Sequence, residues 1–242
     1  MSLIESISQL NAQSIEAIEK LTLRWVFQAI VDFGFEAYTI FQQSPDDVKD
    51  IAEDITREVL DRLAGYNISQ RILGTVDYKR ARYIILPEFL VRQALFVDSK
   101  AEKTNANATL QLSQTSMLVR QMRSGVATEE RGTLPAVSLY GGKEYLTTTI
   151  FLHFYYADVL SEAPYHDLRE ITAFCVPNGL LQAFYNPNPR DTFWLAGRNA
   201  PSLGEDFRVR VSFARLKERV AWRVQQVSYL RDQQKVYGMW SE

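Results

Sequence analysis

The chain predicts an α/β fold of the mixed, α+β kind: a central mixed β-sheet flanked by helices, preceded by a helical N-terminal region. Three observations carry that expectation. Apolar residues recur at three- and four-residue spacing through the first quarter of the chain. Runs rich in β-branched and aromatic residues, bounded by turn formers, take over from Ile72. No glycine- or serine-rich linker, internal repeat or low-complexity segment divides the two regions.

Taken in order, residues 4–41 set Ile15, Ile18, Leu21, Val26 and Ile30 at helical spacing, which reads as one long helix or two broken ones. Ser44, Pro45, Asp46 and Asp47 form a helix start, with proline near the first turn and acids against the positive end of the helix dipole. The second helix runs to about Leu63 and Gly65 closes it. Residues 72–78 and 91–100 read as strands joined through Pro87, and the second is apolar almost throughout, as befits a strand covered on both faces. Residues 106–122 carry Leu110, Met117 and Leu118 among Gln, Ser and Thr and are expected to be helical; residues 124–142, with five Gly or Pro positions (125, 132, 135, 141 and 142), are expected to be loop. Residues 146–156 (LTTTIFLHFYY) and 168–176 are strands by composition, and residues 186–189 and 198–204 are irregular. Residues 207–213 alternate, with Phe207, Val209, Val211 and Phe213 on one face and Arg208, Arg210 and Ser212 on the other. A last strand is expected over 221–229.

Composition removes several function classes. At 242 residues and 46% hydrophobic, the chain can bury a sizeable core. No apolar run approaches the ~20 residues of a membrane span, and residues 1–13 lack the basic and then apolar order of a signal peptide. A cytoplasmic protein with no membrane partner is expected. Cys175 is the only cysteine, which excludes an internal disulfide framework and a Cys-rich zinc site; its apolar neighbours mark it as a buried thiol. A net charge of −2 argues against a sequence-independent nucleic-acid coat, yet leaves room for one basic cleft. Neither a Ser-His-Asp order, a Walker A loop nor a Rossmann glycine fingerprint is present.

Two constellations carry chemistry. Asp77 and Asp98 end two apolar strands, and Lys100 shares a strand face with Asp98. Two carboxylates at paired strand ends, with the Ser99 carbonyl, suit Mg²⁺, a hard cation that prefers oxygen. An ammonium beside them suits phosphodiester hydrolysis. A strand-end salt bridge without chemistry explains the same residues more plainly. Glu53, in the second helix, would add a further carboxylate, though exposed helical acids are common. In the second constellation, Arg208 and Arg210 project from one strand face about 7 Å apart, a spacing that follows from strand rise. Arginine is the preferred bidentate partner of guanine in the major groove, and a solvent-facing strand is the competing explanation. Asn105, Asn107, Gln111 and Gln114 supply amides that suit adenine or phosphate equally with a polar helix face. Lys79 and Arg80 lie beside the first acid, while His153, inside an apolar strand, reads as a buried histidine rather than a general base.

Several longer strings agree in order with a known family: EKLTLR at 19–24, AEDIT at 52–56, VDYKR at 76–80, FVDSKA at 96–101, TLQLSQ at 109–114, TIFLHFYY at 149–156, YNPNP at 185–189 and RVRVSFARLKE at 208–218. Together they resemble the SfiI-type type II restriction endonucleases, over nearly the whole chain from Ile15 to Gln226. The resemblance implies a restriction-endonuclease-like PD-(D/E)xK fold in a single endonuclease domain over 1–242, with residues 1–65 as its helical part and 70–230 as the catalytic and DNA-recognition core. It implies Mg²⁺-dependent, sequence-specific cleavage of double-stranded DNA at an interrupted GC-rich palindrome, leaving 5′-phosphate ends. Carried over by position, the family's metal-binding acids fall on Asp77 and Asp98, its lysine on Lys100, and its base-reading arginines on Arg208 and Arg210. Val76 stands where the usual proline precedes the first acid, and Asn107 where a basic residue is expected. A homodimer, or two dimers paired as a tetramer, is implied in a bacterial cytoplasm beside a cognate DNA methyltransferase. The competing expectation is an inactive or non-specific DNA-binding or repair nuclease of the same fold.

Overall fold

The apolar spacing of the first quarter is realised as two helices. The first, α1 (Ala12–Gln43), is unbroken for 32 residues and starts where the Asn11 side chain accepts a hydrogen bond from the Ser14 amide. The second, α2 (Val48–Arg62), is capped by Asp47, whose carboxylate accepts from the Lys49 amide, so Pro45 lies ahead of the cap rather than in the first turn. The computed structural model describes residues 6–63, 68–71, 81–86, 91–158, 166–196, 208–230 and 233–242. The expected strand at 72–78, with Asp77, Lys79 and Arg80, lies outside the described residues, as do Gly65, Pro87, Phe207 and the irregular segment at 198–204.

The described strands are β1 (Ile68–Arg71), β2 (Ala81–Leu86), β3 (Val91–Glu102), β4 (Asn107–Gln111), β5 (Leu118–Arg123), β6 (Val126–Arg131), β7 (Val137–Tyr140), β8 (Lys143–Asp158), β9 (His166–Val176), β10 (Trp194–Leu195), β11 (Arg208–Ser212), β12 (Val224–Leu230) and β13 (Lys235–Gly238). Two short helices, α3 (Gln182–Tyr185) and α4 (Phe213–Arg219), interrupt them. The main sheet runs β1-β2-β3-β8-β9-β12-β13, with β7 paired to the start of β8. It is mixed because β3 and β8 are parallel, from Gln93 opposite Leu146 to Glu102 opposite Tyr155, whereas the other pairs are antiparallel. Residues 91–97 of β3 are all buried, which explains why this strand reads as a nearly continuous apolar run.

Two stretches differ from the sequence expectation. Residues 106–122 form no α-helix: β4 pairs with β11, a single 3₁₀ turn spans Leu112–Gln114, and β5 opens a hairpin with β6. The buried positions Ala108 and Leu110 alternate with half-buried Asn107, Thr109 and Gln111, a period of two that the widely spaced Leu110, Met117 and Leu118 conceal. Residues 124–142 are not plain loop either. Ser124 and Gly125, both at positive φ, close the β5–β6 hairpin, and Gly141 and Gly142 do the same between β7 and β8. Such two-residue turns suit the right-handed twist of the flanking strands.

Side-chain alternation on β8 separates the two faces of the sheet. Phe154 stacks on Phe41 of α1 with ring centroids 5.5 Å apart, so its face lies under the N-terminal helices. Phe151 stacks on Phe174 of β9 at 5.1 Å, and Phe174 in turn meets Phe213 at the start of α4. Phe151 and His153 therefore occupy the face away from α1. Asp98 and Lys100 are their registered neighbours on β3, so both project on that second face. The main hydrophobic core, from Ile7 to Val227, joins the layers on both sides, and a small second cluster joins Ala94 and Phe96 to Leu134.

Candidate active site

Where β3 leaves the core, burial gives way to partial exposure from Asp98 onward. Lys100 Nζ lies 2.9 Å from Asp98 Oδ2, with the two side chains 16% and 24% exposed respectively. The same ammonium lies 5.7 Å from the centroid of the Phe151 ring, whose face adds a favourable cation–π contact. Gln114 bonds both charges from one side. Its Nε2 donates to Asp98 Oδ2 at 2.7 Å, and its Oε1 accepts from Lys100 Nζ at 2.9 Å. An acceptor-only carboxylate and a donor-only ammonium leave the amide one satisfactory orientation. In the sequence, Gln114 is one of four amides suited to base or phosphate contacts. Its link to Asp98 has no signature in residue spacing, although Gln111 and Gln114 form a reciprocal capping box that marks a tight turn.

The other expected residues that the structure describes sit on separate elements. Glu53 lies on α2, the helix packed on β3, with its carboxylate 4.0 Å from Lys49 of the same helix. Asn105 is exposed in the β3–β4 turn, and Asn107 opens β4 opposite Ser212. Arg208 and Arg210 stand half-buried on β11, alternating with fully buried Val209 and Val211. β11 is held between β10 and β4, so the arginines rise from the middle of a three-stranded sheet. Arg123 of β5 donates from Nη2 to the Arg208 carbonyl at 3.1 Å, bringing a further guanidinium to that strand. The alternation stops at Ser212, which caps α4; Phe213 is the first helical residue and packs edge-on against His153. His153 itself is fully buried, and burial pushes its imidazole down to about 4, so it stays neutral near pH 7 and serves as a core residue. Cys175 is a buried thiol, pushed well up by burial.

Comparison with known proteins adds to this geometry. The family model described as type II restriction enzyme SfiI matches residues 31–227. SfiI of Streptomyces fimbriatus is 37% identical over 246 residues, spanning 97% of this chain and 91% of that enzyme. The chain belongs to the SfiI family of type II restriction enzymes. Its fold agrees: the crystal structure of tetrameric SfiI bound to cognate DNA superposes with a TM-score of 0.85 at 34% identity, covering 97% of this chain and 91% of that one. The restriction endonuclease BglI, solved bound to its DNA recognition sequence, gives 0.70 at 19% identity over 88% of this chain and 90% of that one, a likeness of fold. The mixed α/β architecture expected from the sequence is thus the SfiI-family fold, and the chain is a site-specific endonuclease by family. Among its described residues, no helix is long and apolar enough to cross a membrane.

Proposed function

We propose that this SfiI-family enzyme cleaves double-stranded DNA at an interrupted, GC-rich palindrome with Mg²⁺, leaving 5′-phosphate ends. The observation that carries the proposal is the partly exposed Asp98–Lys100 pair at the outlet of the central strand, where the fold opens from core to surface. The donor chemistry suits a hard cation: a carboxylate and the neighbouring Ser99 carbonyl offer oxygen, and the nearby imidazole of His153 is buried. Among the described residues no three His, Cys, Asp or Glu side chains converge, so the ion would need Asp77 as well as Asp98, with water completing its shell. When bound, the ion supplies Lewis acidity toward the phosphate and lowers the pKa of adjacent water. Lys100 places its ammonium beside the scissile phosphate, orients the attacking water and helps it lose its proton to solvent. The water oxygen bonds to phosphorus in line, the bond to the 3′-oxygen breaks, and that oxygen leaves to become the 3′-hydroxyl. Glu53 is an auxiliary acid in this reading.

Arg208 and Arg210 read guanines from the major groove as bidentate donors. Asn105 and Asn107, at the adjoining turn, and Lys79 and Arg80, beside Asp77, contact the DNA around the reading face. Cutting both strands of a palindrome requires at least a two-fold dimer, and the tetrameric SfiI–DNA complex makes two paired dimers the natural assembly. A DNA methyltransferase of matching specificity, acting in the same cytoplasm, would protect the host genome. Digestion of a plasmid of known sequence with Mg²⁺, followed by run-off sequencing of the ends, tests the proposal. Discrete fragments with 5′-phosphates at one GC-rich interrupted sequence are expected. A smear would replace the proposal with a non-specific nuclease, and intact DNA with an inactive binding protein.

A further inference from the structure

We infer that Gln114 is a positioning residue for Asp98 and Lys100, and that through it the arginine-bearing sheet is tied to the pair that cuts. This inference rests on the roles proposed above for those residues. Gln114 is only 8% exposed, and its side chain makes three hydrogen bonds that each have a direction: to Asp98 Oδ2, from Lys100 Nζ and from the Gln111 amide at 3.0 Å. A glutamate here would set a second carboxylate against Asp98, and an asparagine would fall one methylene short.

The turn that carries the amide is itself fixed. The Leu112 carbonyl accepts from the Thr133 amide at 2.9 Å, the Thr115 carbonyl from Leu134 at 3.2 Å, and the Met117 carbonyl from Gly132 at 2.9 Å. Gly132 passes so close that a Cβ there would stand 2.2 Å from the Thr115 oxygen. On the other side, the Ser116 hydroxyl accepts from the Gly179 amide at 2.8 Å. A side chain held by a frame of this kind can hold its own partners to a fraction of an ångström.

The link to the reading sheet lies in the register of β4. Arg208 stands opposite Gln111 and Arg210 opposite Thr109. β4 is an edge strand of that sheet, so alternate amides point away from β11 and need other acceptors. The Gln111 amide finds Gln114 Oε1, and the Thr109 amide finds Glu102 Oε1 at 2.8 Å. Glu102 follows Asp98 and Lys100 on the same face of β3. Each arginine's partner on β4 is thus fastened to the cutting strand by one side chain. A shift of the β11–β4 ribbon against the bases would be felt at Asp98 and Lys100 through the Gln114 amide.

The test uses the full chain with Gln114→Met, which keeps the volume and removes the hydrogen bonds, and Gln114→Asn, which keeps the amide on a shorter stem. Single-turnover cleavage of a plasmid carrying the mapped site should slow about 10²-fold for Gln114→Met, the scale expected of an ångström-sized misplacement. Affinity for a duplex of that site, measured without metal, should change less than about two-fold, and the melting temperature should stay within a few degrees. Without DNA or metal, reductive methylation read by peptide mass spectrometry should modify Lys100 several-fold faster in both variants. The ratio of cleavage rates between the mapped site and a site with one changed base pair should shrink. Unchanged cleavage and unchanged Lys100 reactivity in the two variants, with Asp98→Ala inactive, would overturn the role of Gln114 alone. Equal losses of DNA affinity, cleavage and melting temperature would also overturn it, by making Gln114 merely structural. Near-normal cleavage by Asp98→Ala would instead overturn the catalytic assignment beneath it.

Discussion

Glu19–Arg223 beneath α1 and Asp98–Lys100 on the far face of the sheet are both carboxylate–cation pairs, closed at 2.7 and 2.9 Å, but their surroundings differ. Both side chains of the first pair are completely buried. Arg223 donates from Nε to the Tyr185 hydroxyl at 2.7 Å and lies 4.4 Å from the ring centroids of Tyr185 and Trp222. Glu19 accepts a further bond from the Asn178 amide at 2.9 Å. Burial pushes the Glu19 carboxyl above its ordinary range, and Arg223 works against that rise. Such a pair cannot change partners without opening the core; it fastens α1 to the short turn that leads into β12. The second pair keeps part of each side chain in solvent and shares one neutral partner, the Gln114 amide. One pair is sealed in the core, while the other stays partly open to solvent, as the proposed catalytic role requires.

Removing one acid from each pair gives the sharpest contrast. If Asp98 is the metal ligand proposed above, Asp98→Ala should lower single-turnover cleavage by at least about 10³-fold. Its urea midpoint should barely move, because a partly exposed ion pair contributes about 1 kcal/mol or less. Specific DNA binding should persist in a gel-shift assay, and cleavage near the normal rate would break the comparison at its catalytic side. Glu19→Ala reverses the pattern. Leaving buried Arg223 with only the half-buried Glu16 carboxylate, 3.7 Å away, should cost about 3 kcal/mol in urea denaturation, whereas replacing both Glu19 and Arg223 with methionine should cost less. The rate per folded molecule should hold in the single variant.

How much of this was legible in the sequence depends on how local its cause is. The long helix, β3, β8 and β9 follow from side-chain periodicity and composition, which are local, and they appear where expected. The strand character of 107–111 is not local: Thr109 and Gln111 are polar, and their edge exists because β11, about a hundred residues later, supplies the ladder. The turns at Ser124–Gly125 and Gly141–Gly142 are marked by their glycines, but the strand pairs that make them hairpins exist only in the folded chain. At the site, Asp98 and Lys100 stand out because two residues apart on a strand means one shared face. Gln114 does not, because the bond that matters spans sixteen residues and a change of direction. The Glu19–Arg223 pair spans 204 residues, and only the folded chain brings it together.

A smaller effect probes the frame around the half-open pair. Gly132→Ala would drive a methyl group into the Thr115 carbonyl, a backbone atom already bonded to Leu134, so the turn has little room to give. Destabilisation of about 2–3 kcal/mol is expected from such overpacking. Because Thr115 directly follows Gln114, cleavage per folded molecule should fall as well. Glu19→Ala, by contrast, should spare the rate. If Gly132→Ala destabilises the protein while leaving that rate untouched, the turn is not what holds the amide in place.

The smallest effect lies between the two pairs, at His153, which shares the face of Lys100 but none of its exposure. Among the described residues, both ring nitrogens lack hydrogen-bond partners, and Glu102 Oε2 is 4.0 Å away. Burial lowers the imidazole from its ordinary 6.5 to about 4. The unfolded chain therefore binds a proton at a pH where the folded one does not. The resulting stability is fully present above pH 6.5 and drains away as the pH falls toward 4. Between pH 7 and pH 5 the loss should reach about 1–2 kcal/mol, from the size of the shift over that interval. Urea denaturation at the two pH values checks it, with His153→Leu expected to flatten the dependence over that window. An equally steep profile in the variant would move the acid sensitivity to another group, the buried Glu19 excepted: its raised carboxyl pKa favours the folded state toward low pH and would give the opposite slope.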